Sequence, residues 1–203
     1  MYIFKNYNLE ELGIVVNSSS VATSTEGYNI NLQCTYIKKN YSIREIIRIL
    51  KGAGKLMLGS ERDKYCNATT SSISYTEKVK DEIYELAFSF QCDPYWYFYE
   101  GENIINITNG MTLINDNEIY SEPLIKIYGT GDITFAINNQ GLELKAIAEC
   151  IELDSSIQEC YYQGSNLNSK MIGDFPILEV GENKIGWNGE VTKVEILPRW
   201  RCL

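Results

Sequence analysis

The clearest regular pattern in the chain is a strict alternation of apolar and polar residues over positions 28–36. The apolar positions are Tyr28, Ile30, Leu32, Cys34 and Tyr36. The polar positions between them are Asn29, Asn31, Gln33 and Thr35. Successive side chains of a β-strand point to opposite faces, so this pattern predicts a strand with one buried face and one solvated face.

Further strand patterns occur along the whole chain. They cover positions 2–4, 12–16, 55–58, 65–75, 83–92, 118–128, 132–138, 142–147, 149–153 and 159–162. Positions 17–25 are rich in Ser and Thr and predict a loop. Short strands at this spacing, with a single helical pattern among them, predict a mainly β fold whose second half is an antiparallel sandwich.

One segment has the period of a helix. Ser42 is a candidate N-cap, and Glu45, three residues later, completes a capping box. The apolar positions at helical spacing are Ile43, Ile46, Ile47 and Leu50. They share one face, and Gly52 and Gly54 end the pattern. We expect this helix to cover one face of the first sheet; the alternative is that its apolar face receives a partner protein.

The C-terminal segment predicts a β-hairpin. Asn188-Gly189 is a strong turn signal, because a type I′ turn needs positive φ at both central positions and these residues tolerate it. The flanking segments 183–187 and 190–197 have strand composition. Pro198 ends the second segment because it has no N–H to give to a ladder.

Asp93-Pro94 interrupts the strand pattern near the middle of the chain, since proline restricts the residue before it. A chain of 203 residues has room for two small domains. We therefore expect a first domain over residues 1–94 and a second over residues 95–203.

The chain contains no histidine and six cysteines. The lack of histidine removes the commonest general base, the histidine-dependent nucleophile systems and most zinc sites. Neighbouring cysteines are ten or more residues apart, so we expect isolated buried thiols rather than disulfides. We expect no metal, no cofactor and no enzymatic activity.

Negative charge is concentrated in the second half. Residues 1–100 carry 11 basic and 12 acidic side chains, whereas residues 101–203 carry 7 and 15. This balance argues against nucleic-acid binding, which relies on Lys and Arg, and against docking on anionic membranes. The N-terminal sequence predicts no secretory signal, and no apolar run is long enough for a membrane helix.

Two minor alternatives involve acidic and amide side chains. Glu152 and Asp154, close to Glu149, are candidates for the carboxylate pair of a hydrolase. They would share a strand face, roughly 6.5–7 Å apart. Asp132 and Asn138 are candidate calcium ligands, but without a spaced oxygen loop they are better explained as solvated turn residues.

A second alternative function is a carbohydrate-binding module. Trp187, beside Asn188, and Trp200 are candidates for a contact with a sugar or a partner protein. For Trp187 we prefer packing at a strand end, because aromatic residues are good strand formers.

Four segments resemble phage distal tail proteins, the family that joins a phage tail tube to its tip or baseplate. GDFPILEVGENKI (173–185) and VTKVEILPRWR (191–201) resemble its closing segment. EPLIKIYGTGDITFAINNQGLELKAI (122–147) resembles its paired strands, and FSFQCDPYWY (88–97) resembles its link between two domains. The resemblance covers most of the chain and is strongest from about residue 86 onward.

The resemblance implies a β-rich belt domain with one α-helix over residues 1–94, followed by a galectin-like β-sandwich. It implies a structural protein that forms a hexameric ring and anchors host-adsorption components. The expected partners are further copies of the chain, the tail tube protein, tail-tip or tail-associated proteins and receptor-binding proteins. The expected location is the tail of a virion or of a prophage-derived particle, after synthesis in the cytoplasm of a bacterial host.

A closed ring repeats one heterologous interface around an axis. We expect the strand at 28–36 to be an unpaired edge that contributes to this interface. The candidate interface residues are Tyr28, Ile30, Asn31, Leu32, Gln33 and Tyr36. Galectins use a histidine in their sugar site and this chain has none, so the fold alone does not imply sugar binding.

Overall fold

The computed structural model describes residues 1–24, 27–59 and 61–203. The described chain is mainly β and divides into two compact units, Met1–Trp96 and Tyr97–Leu203. The strand pairs within each unit are antiparallel. The predicted fold class, mainly β with antiparallel sheets, is confirmed. Among the described residues, no helix has the length and apolar character needed to cross a membrane.

The first unit contains seven strands and one α-helix within its described residues, and β8 crosses its boundary. The elements are β1 (Ile3–Phe4), β2 (Tyr7–Asn8), β3 (Ile14–Ser24), β4 (Gly27–Ile37), α1 (Ile43–Leu50), β5 (Ala53–Met57), β6 (Lys64–Val79), β7 (Ile83–Cys92) and β8 (Trp96–Phe98). The strands of the first unit follow the order β2-β1-β5-β6-β7-β4-β3 across the sheet.

The strand predicted at 28–36 is confirmed as β4, with its apolar positions buried. The loop predicted at 17–25 is wrong over its described part, because β3 continues to Ser24; Thr25 lies outside the described residues. β3 pairs with β4 along its length, from Ile14 opposite Tyr36 to Ser24 opposite Gly27. Pairing with a strongly patterned neighbour overrides the weak strand preference of this serine-rich segment.

The predicted helix is confirmed as α1, together with its capping box. The Ser42 hydroxyl accepts a hydrogen bond from the Glu45 N–H, and the Glu45 carboxylate accepts one from the Ser42 N–H at 2.7 Å. Ile46 and Leu50 are fully buried against the sheet. The helix therefore covers one face of the first sheet, as the spacing of its apolar residues predicts.

One hydrophobic core fills the first unit between α1 and the central strands. Its buried members include Ile30, Leu32, Cys34, Tyr36, Leu86, Phe88 and Phe90. All six cysteines of the chain are buried and none forms a disulfide, so the prediction of isolated buried thiols is confirmed. Burial raises the pKa of the Cys34 thiol to about 12, which keeps it protonated.

The second unit is built from short strands around two long ones. Its elements are a 3₁₀ turn (Tyr99–Glu102), β9 (Ile105–Ile107), β10 (Thr112–Asn115), β11 (Leu124–Ile137), β12 (Gln140–Ile147), β13 (Cys150–Asp154), β14 (Glu159–Tyr162), β15 (Ser165–Asn166), a 3₁₀ turn (Asn168–Lys170), β16 (Met171–Ile172), β17 (Gly181–Leu197) and β18 (Arg201–Cys202). The turn at Asn138 joins β11 to β12, so the hairpin predicted there is confirmed.

The long strands β11 and β17 pair with each other in two segments. Residues 124–130 lie opposite 190–197, and residues 134–137 lie opposite 185–188, with a register shift between them. Gly189 sits at this shift with φ of 112°. The predicted hairpin at Asn188-Gly189 is therefore wrong, because both of its arms belong to one strand. Each arm pairs with β11 rather than with the other arm, so the glycine makes a bulge instead of a turn.

Each segment of the β11–β17 pair has its own flanking strands. β13 and β9 flank the first segment, and β12 flanks the second. β10 pairs with the adjoining residues 181–184 of β17. Buried residues of both segments, such as Ile125 and Ile127 in the first and Phe135 and Ile137 in the second, belong to one hydrophobic core. The two segments therefore share a single core.

Two buried serines of the second unit differ in their hydrogen bonding. Ser121 is fully buried and its hydroxyl has no partner among the described residues. Ser155 is 5 % exposed and its hydroxyl donates to the Pro176 carbonyl at 2.7 Å. An unsatisfied buried hydroxyl costs free energy, whereas a satisfied one contributes about 1 kcal/mol.

We expect Ser121→Ala to raise the free energy of unfolding by about 1 kcal/mol, because it removes the unsatisfied hydroxyl. The matched change Ser155→Ala should lower it by about 1 kcal/mol, because it leaves the Pro176 carbonyl without its donor. Urea unfolding of both variants measures the difference. Equal destabilisation by the two changes would contradict the expectation.

Candidate assembly interface

The strand β3 forms one edge of the first sheet. Over the described residues it pairs with β4 and has no strand on its other side. Residues 14–24 include no charged residue and no proline, the two features that most often protect an edge from pairing with another chain. This β3 edge is therefore available for pairing along 11 residues.

The second half of β6 forms an edge on the opposite side of the same sheet. β5 pairs with β6 only as far as Thr69. β6 also pairs with the short strand β8. From residue 71 to Val79, β6 pairs with β7 on one side, and most of its side chains are exposed. This segment, which we call the β6 edge, is similar in length to the β3 edge.

Exposed apolar side chains lie along both edges on the face that carries the core. Val21 on β3 pairs with buried Ile30 and is 52 % exposed. Tyr75 on β6 pairs with buried Leu86 and is 49 % exposed. The apolar, core-facing side of the sheet is therefore exposed to solvent at each edge.

The edges of the second unit have a different character. β9, β10, β15 and β16 each contain two to four residues. Very short edge strands are one way in which proteins prevent unwanted pairing. Long open edges are therefore confined to the first unit among the described residues.

The structure corrects the expectation that the strand at 28–36 is an unpaired edge. β4 is paired on both sides, with β3 and with β7. Ile30, Leu32 and Tyr36 are completely buried within the unit, so these side chains are not available to a second copy. The alternating pattern shows that one face of β4 covers the core, but it does not distinguish a central strand from an edge strand.

The remaining interface candidates on β4 have partly or fully solvated side chains. Tyr28 is half-buried, and its ring lies 6.4 Å from that of Trp96. Asn31 is half-buried and accepts a hydrogen bond from the Ser89 hydroxyl at 2.7 Å. Gln33 is exposed on the same face as Asn31. Their role in an interface stays a prediction.

The two candidate tryptophans both pack with the hydrophobic core of the second unit. Trp200 is 7 % exposed and belongs to the second core, so the expectation of a surface contact is wrong for this residue. Trp187 pairs with Phe135 on the core side of β17, and the two rings stack with centroids 6.5 Å apart. Asn188 points to the opposite face, since successive strand residues alternate.

The candidate hydrolase carboxylates are each held by a cation. Lys126 Nζ lies 2.9 Å from Glu152 Oε1. Arg199 binds Asp154 through two hydrogen bonds, of 2.6 Å to Oδ1 and 2.8 Å to Oδ2. Burial alone would raise the pKa of Asp154, but the bonds from Arg199 and Ser156 outweigh it and hold that pKa below its ordinary value. The Asp154 carboxylate is thereby fixed as an ionised structural group.

Asp132 takes a structural role rather than that of a metal ligand. Its carboxylate accepts a hydrogen bond from the Ala146 N–H at 2.9 Å, and this bond is the main cause of its lowered pKa. Ala146 has φ of 49°, a conformation that non-glycine residues rarely adopt. Within the described residues, no cluster of three or more metal-ligating side chains occurs.

Comparison with known proteins rests on structure rather than sequence. No protein-family model matches the chain, and no curated protein matches it. Among solved structures, the chain is similar to the crystal structure of SPP1 Dit (gp 19.1), described as a paradigm of the hub adsorption apparatus in phages that infect Gram-positive bacteria. The TM-score is 0.69, and the match covers 100 % of this chain and 98 % of that one. This chain has the fold of SPP1 Dit.

The match to SPP1 Dit confirms, at the level of fold, the resemblance to phage distal tail proteins. The two sequences are 9 % identical, so the shared property is the arrangement of strands and not a set of shared residues. Sequence reasoning missed the β3 and β6 edges. The sequence signal for the β3 edge was the long stretch without charge or proline at residues 14–24. The β6 edge is visible only in the structure, where β5 pairs with β6 only as far as Thr69.

Proposed function

We propose that this chain is a structural protein of a phage tail that assembles into a hexameric ring, joins the tail tube to the tip or baseplate, and anchors host-adsorption components. The observation that carries the proposal is the SPP1 Dit fold across the whole chain. The open edges of the first unit supply a physical means of assembly. The protein acts by assembly rather than by catalysis.

In this proposal, residues 1–94 form the ring as a belt domain, and residues 95–203 form a galectin-like sandwich that contacts neighbouring tail proteins. The division of the chain near Trp96 and the confinement of long open edges to the first unit support this assignment. The particle is a virion tail or a prophage-derived tail, made in the cytoplasm of a bacterial host. Tail tube, tail-tip and receptor-binding proteins are its proposed partners.

The strand directions in the first unit allow edge-to-edge closure. β3, β4, β7 and β6 alternate in direction, so β3 and β6 run antiparallel. A rotation about an axis along the strands preserves direction, so the β6 edge of one copy meets the β3 edge of the next in antiparallel pairing. Six copies would close about 24 strands, and a strand spacing of about 4.8 Å makes such a barrel at least about 37 Å across.

The exposed apolar side chains would be covered at each junction. Tyr75 of one copy and Val21 of the next would lie on the same side of the continuous sheet. Together these side chains would connect the hydrophobic cores of adjacent copies. This arrangement repeats one heterologous interface, as closed cyclic symmetry requires. Permanent interfaces of this kind bury more than about 2,000 Å².

We expect the purified chain, of 23.2 kDa, to form particles of about 139 kDa measured by light scattering or native mass spectrometry. Val21→Lys or Tyr75→Lys should convert them to monomers, because each places a charge in the covered core of the junction. Ile157→Lys is the matched control, because Ile157 is an equally exposed apolar residue in the second unit, at 58 %. This variant should leave the ring intact.

Two outcomes count against the ring. Assembly that survives both edge variants would exclude these edges as the junction. A chain that is monomeric in solution and shows no ring in images of intact tail particles would overturn the proposal as a whole.

A further inference from the structure

The side chains of the β3 and β6 edges alternate between the two faces of one sheet. On β3, Val21 lies on the core face and Ser20 on the opposite, polar face. On β6, Tyr75 lies on the core face and Thr76 on the polar face. Directly opposite residues of paired strands share a face, so a junction between copies must join like faces. Neighbouring registers that meet this condition differ by two residues.

The β6 edge is long enough to hold a complete strand from another copy. β5 pairs with β6 only as far as Thr69. β8 also pairs with β6, but it contains three residues and cannot occupy the eight positions 72–79. Most of this segment is therefore free to pair with β3 of the next copy.

One row of paired residues crosses the four strands of a copy. Val21 lies opposite Ile30, and Ile30 lies opposite Phe90. Phe90 lies opposite Thr70 on β6. We call these four residues the Val21 row. The stagger of a ring is the number of strand positions by which the Val21 row of each copy is displaced along the strands from that of the copy before.

Barrel closure selects one stagger. Strands of closed barrels tilt by about 35–45° from the axis. Tyr75 lies opposite Leu86, which is four residues along β7 from Phe90 of the Val21 row. Placing Val21 of the next copy opposite Tyr75 therefore gives a stagger of four residues, about 13 Å, over four strands that are together about 19 Å wide. This ratio corresponds to a tilt of about 35°.

The registers on either side fit less well. With Tyr75 opposite Ser19, the stagger falls to two residues and the tilt to about 19°, well below the usual range. With Tyr75 opposite Thr23, the tilt rises to about 46°. That register also puts Glu77 opposite Val21, which would bring a carboxylate against an apolar side chain in the junction.

We propose that the β6 edge of each copy pairs with the β3 edge of the next in the register that places Tyr75 directly opposite Val21. This rests on the proposed ring and specifies how its copies join. The register opposes side chains that suit each other, an aromatic with a β-branched residue, two hydroxyls, and a carboxylate with a hydroxyl. These pairs are Tyr75 with Val21, Thr76 with Ser20, and Glu77 with Ser19.

The test introduces cysteines at opposite positions of the full-length chain and oxidises the assembled samples mildly. Thr76→Cys with Ser20→Cys probes the polar face, and Glu77→Cys with Ser19→Cys probes the core face. Both are used because close and wide pairs alternate along an antiparallel ladder. Within one copy the two edges are three strand spacings apart, about 14 Å, so a disulfide between them can join only different copies.

At least one designed pair should give a ladder of covalent species on a non-reducing gel, ending at six copies. The matched control is Thr76→Cys with Ser18→Cys, which are opposite only in the register shifted by two residues. Ser18 lies on the polar face, as Ser20 does. The control should give about tenfold less product, because disulfide geometry tolerates little displacement. The natural cysteines are buried, so the wild-type chain should give no ladder.

Equal or stronger cross-linking of the control pair would overturn this register. An intact ring, measured by mass, in which neither designed pair cross-links would also overturn it. The proposed ring survives both of these results. A wild-type chain whose mass in solution and in tail particles remains that of one copy, 23.2 kDa, would remove the ring and the register together.

Discussion

Replacing Arg199 by methionine is expected to lower the free energy of unfolding by about 3–5 kcal/mol, the usual cost of leaving a buried charge without its partner. Asp154 is 5 % exposed and depends on Arg199 for two hydrogen bonds, supported by Ser156. Methionine keeps the apolar stem of the arginine, so the change isolates the guanidinium. Chemical unfolding in urea at neutral pH measures the effect.

The loss should depend on pH in a definite direction. The pKa of Asp154 is lowered in the folded chain from its ordinary value of 3.8. Its contribution to stability is therefore complete above pH 3.8 and disappears as the pH falls through the lowered pKa. The difference between wild type and Arg199→Met should be largest near neutrality and should shrink in acid.

Lys145→Met is the control for this experiment. Lys145 also pairs with carboxylates, at 2.8 Å from Glu143, but its side chain is 44 % exposed. Exposed pairs contribute about 0–1 kcal/mol, so this variant should remain close to wild type. An equally small effect for Arg199→Met would show that the Asp154 pair is not a buried structural bond.

Gly129→Ala is expected to lower the free energy of unfolding by about 3 kcal/mol, because overpacking against a backbone is rarely relieved. A Cβ at Gly129 would lie 2.4 Å from the Glu190 carbonyl oxygen and 3.0 Å from Ile133 Cδ1. The position lies at a separate register shift, between Tyr128 and Gly129, within the first segment of the β11–β17 pair. The two backbones approach closely there, and glycine leaves room for the Glu190 carbonyl.

Gly141→Ala provides the matched comparison. Gly141 also lies in a strand of this sheet, and a Cβ there would meet nothing within 4 Å. It should change the free energy of unfolding by less than about 0.5 kcal/mol. Thermal unfolding of both variants under identical conditions gives the difference, and similar midpoints would contradict the expected overpacking at Gly129.

Several parts of the fold follow from local sequence. The capping box of Ser42 and Glu45 and the apolar spacing of α1 predict the helix and the face it buries. The alternation at 28–36 predicts β4 and its buried side. These predictions succeed because the responsible interactions lie within a few residues along the chain.

Other parts depend on partners distant in sequence. Positions 17–24 have loop composition but form half of a hairpin with β4. Asn188-Gly189 has the composition of a turn but lies inside β17, since β11 offers each arm a partner. Trp200 is surface-like in its polar, C-terminal context but is buried in the second core. In each case a nonlocal pairing outweighs a local preference.

The sequence by itself determined the mainly β character of the chain, the α-helix at Ile43–Leu50, the buried thiols and the likeness to phage distal tail proteins. Only the tertiary structure decided which strands are central and which are edges. An edge is defined by the absence of a neighbour, and a chain pattern records the burial of side chains, not the occupancy of backbone hydrogen bonds. For that reason the proposed interface lies on β3 and β6, whereas the strongest strand pattern belongs to β4, which lies between β3 and β7.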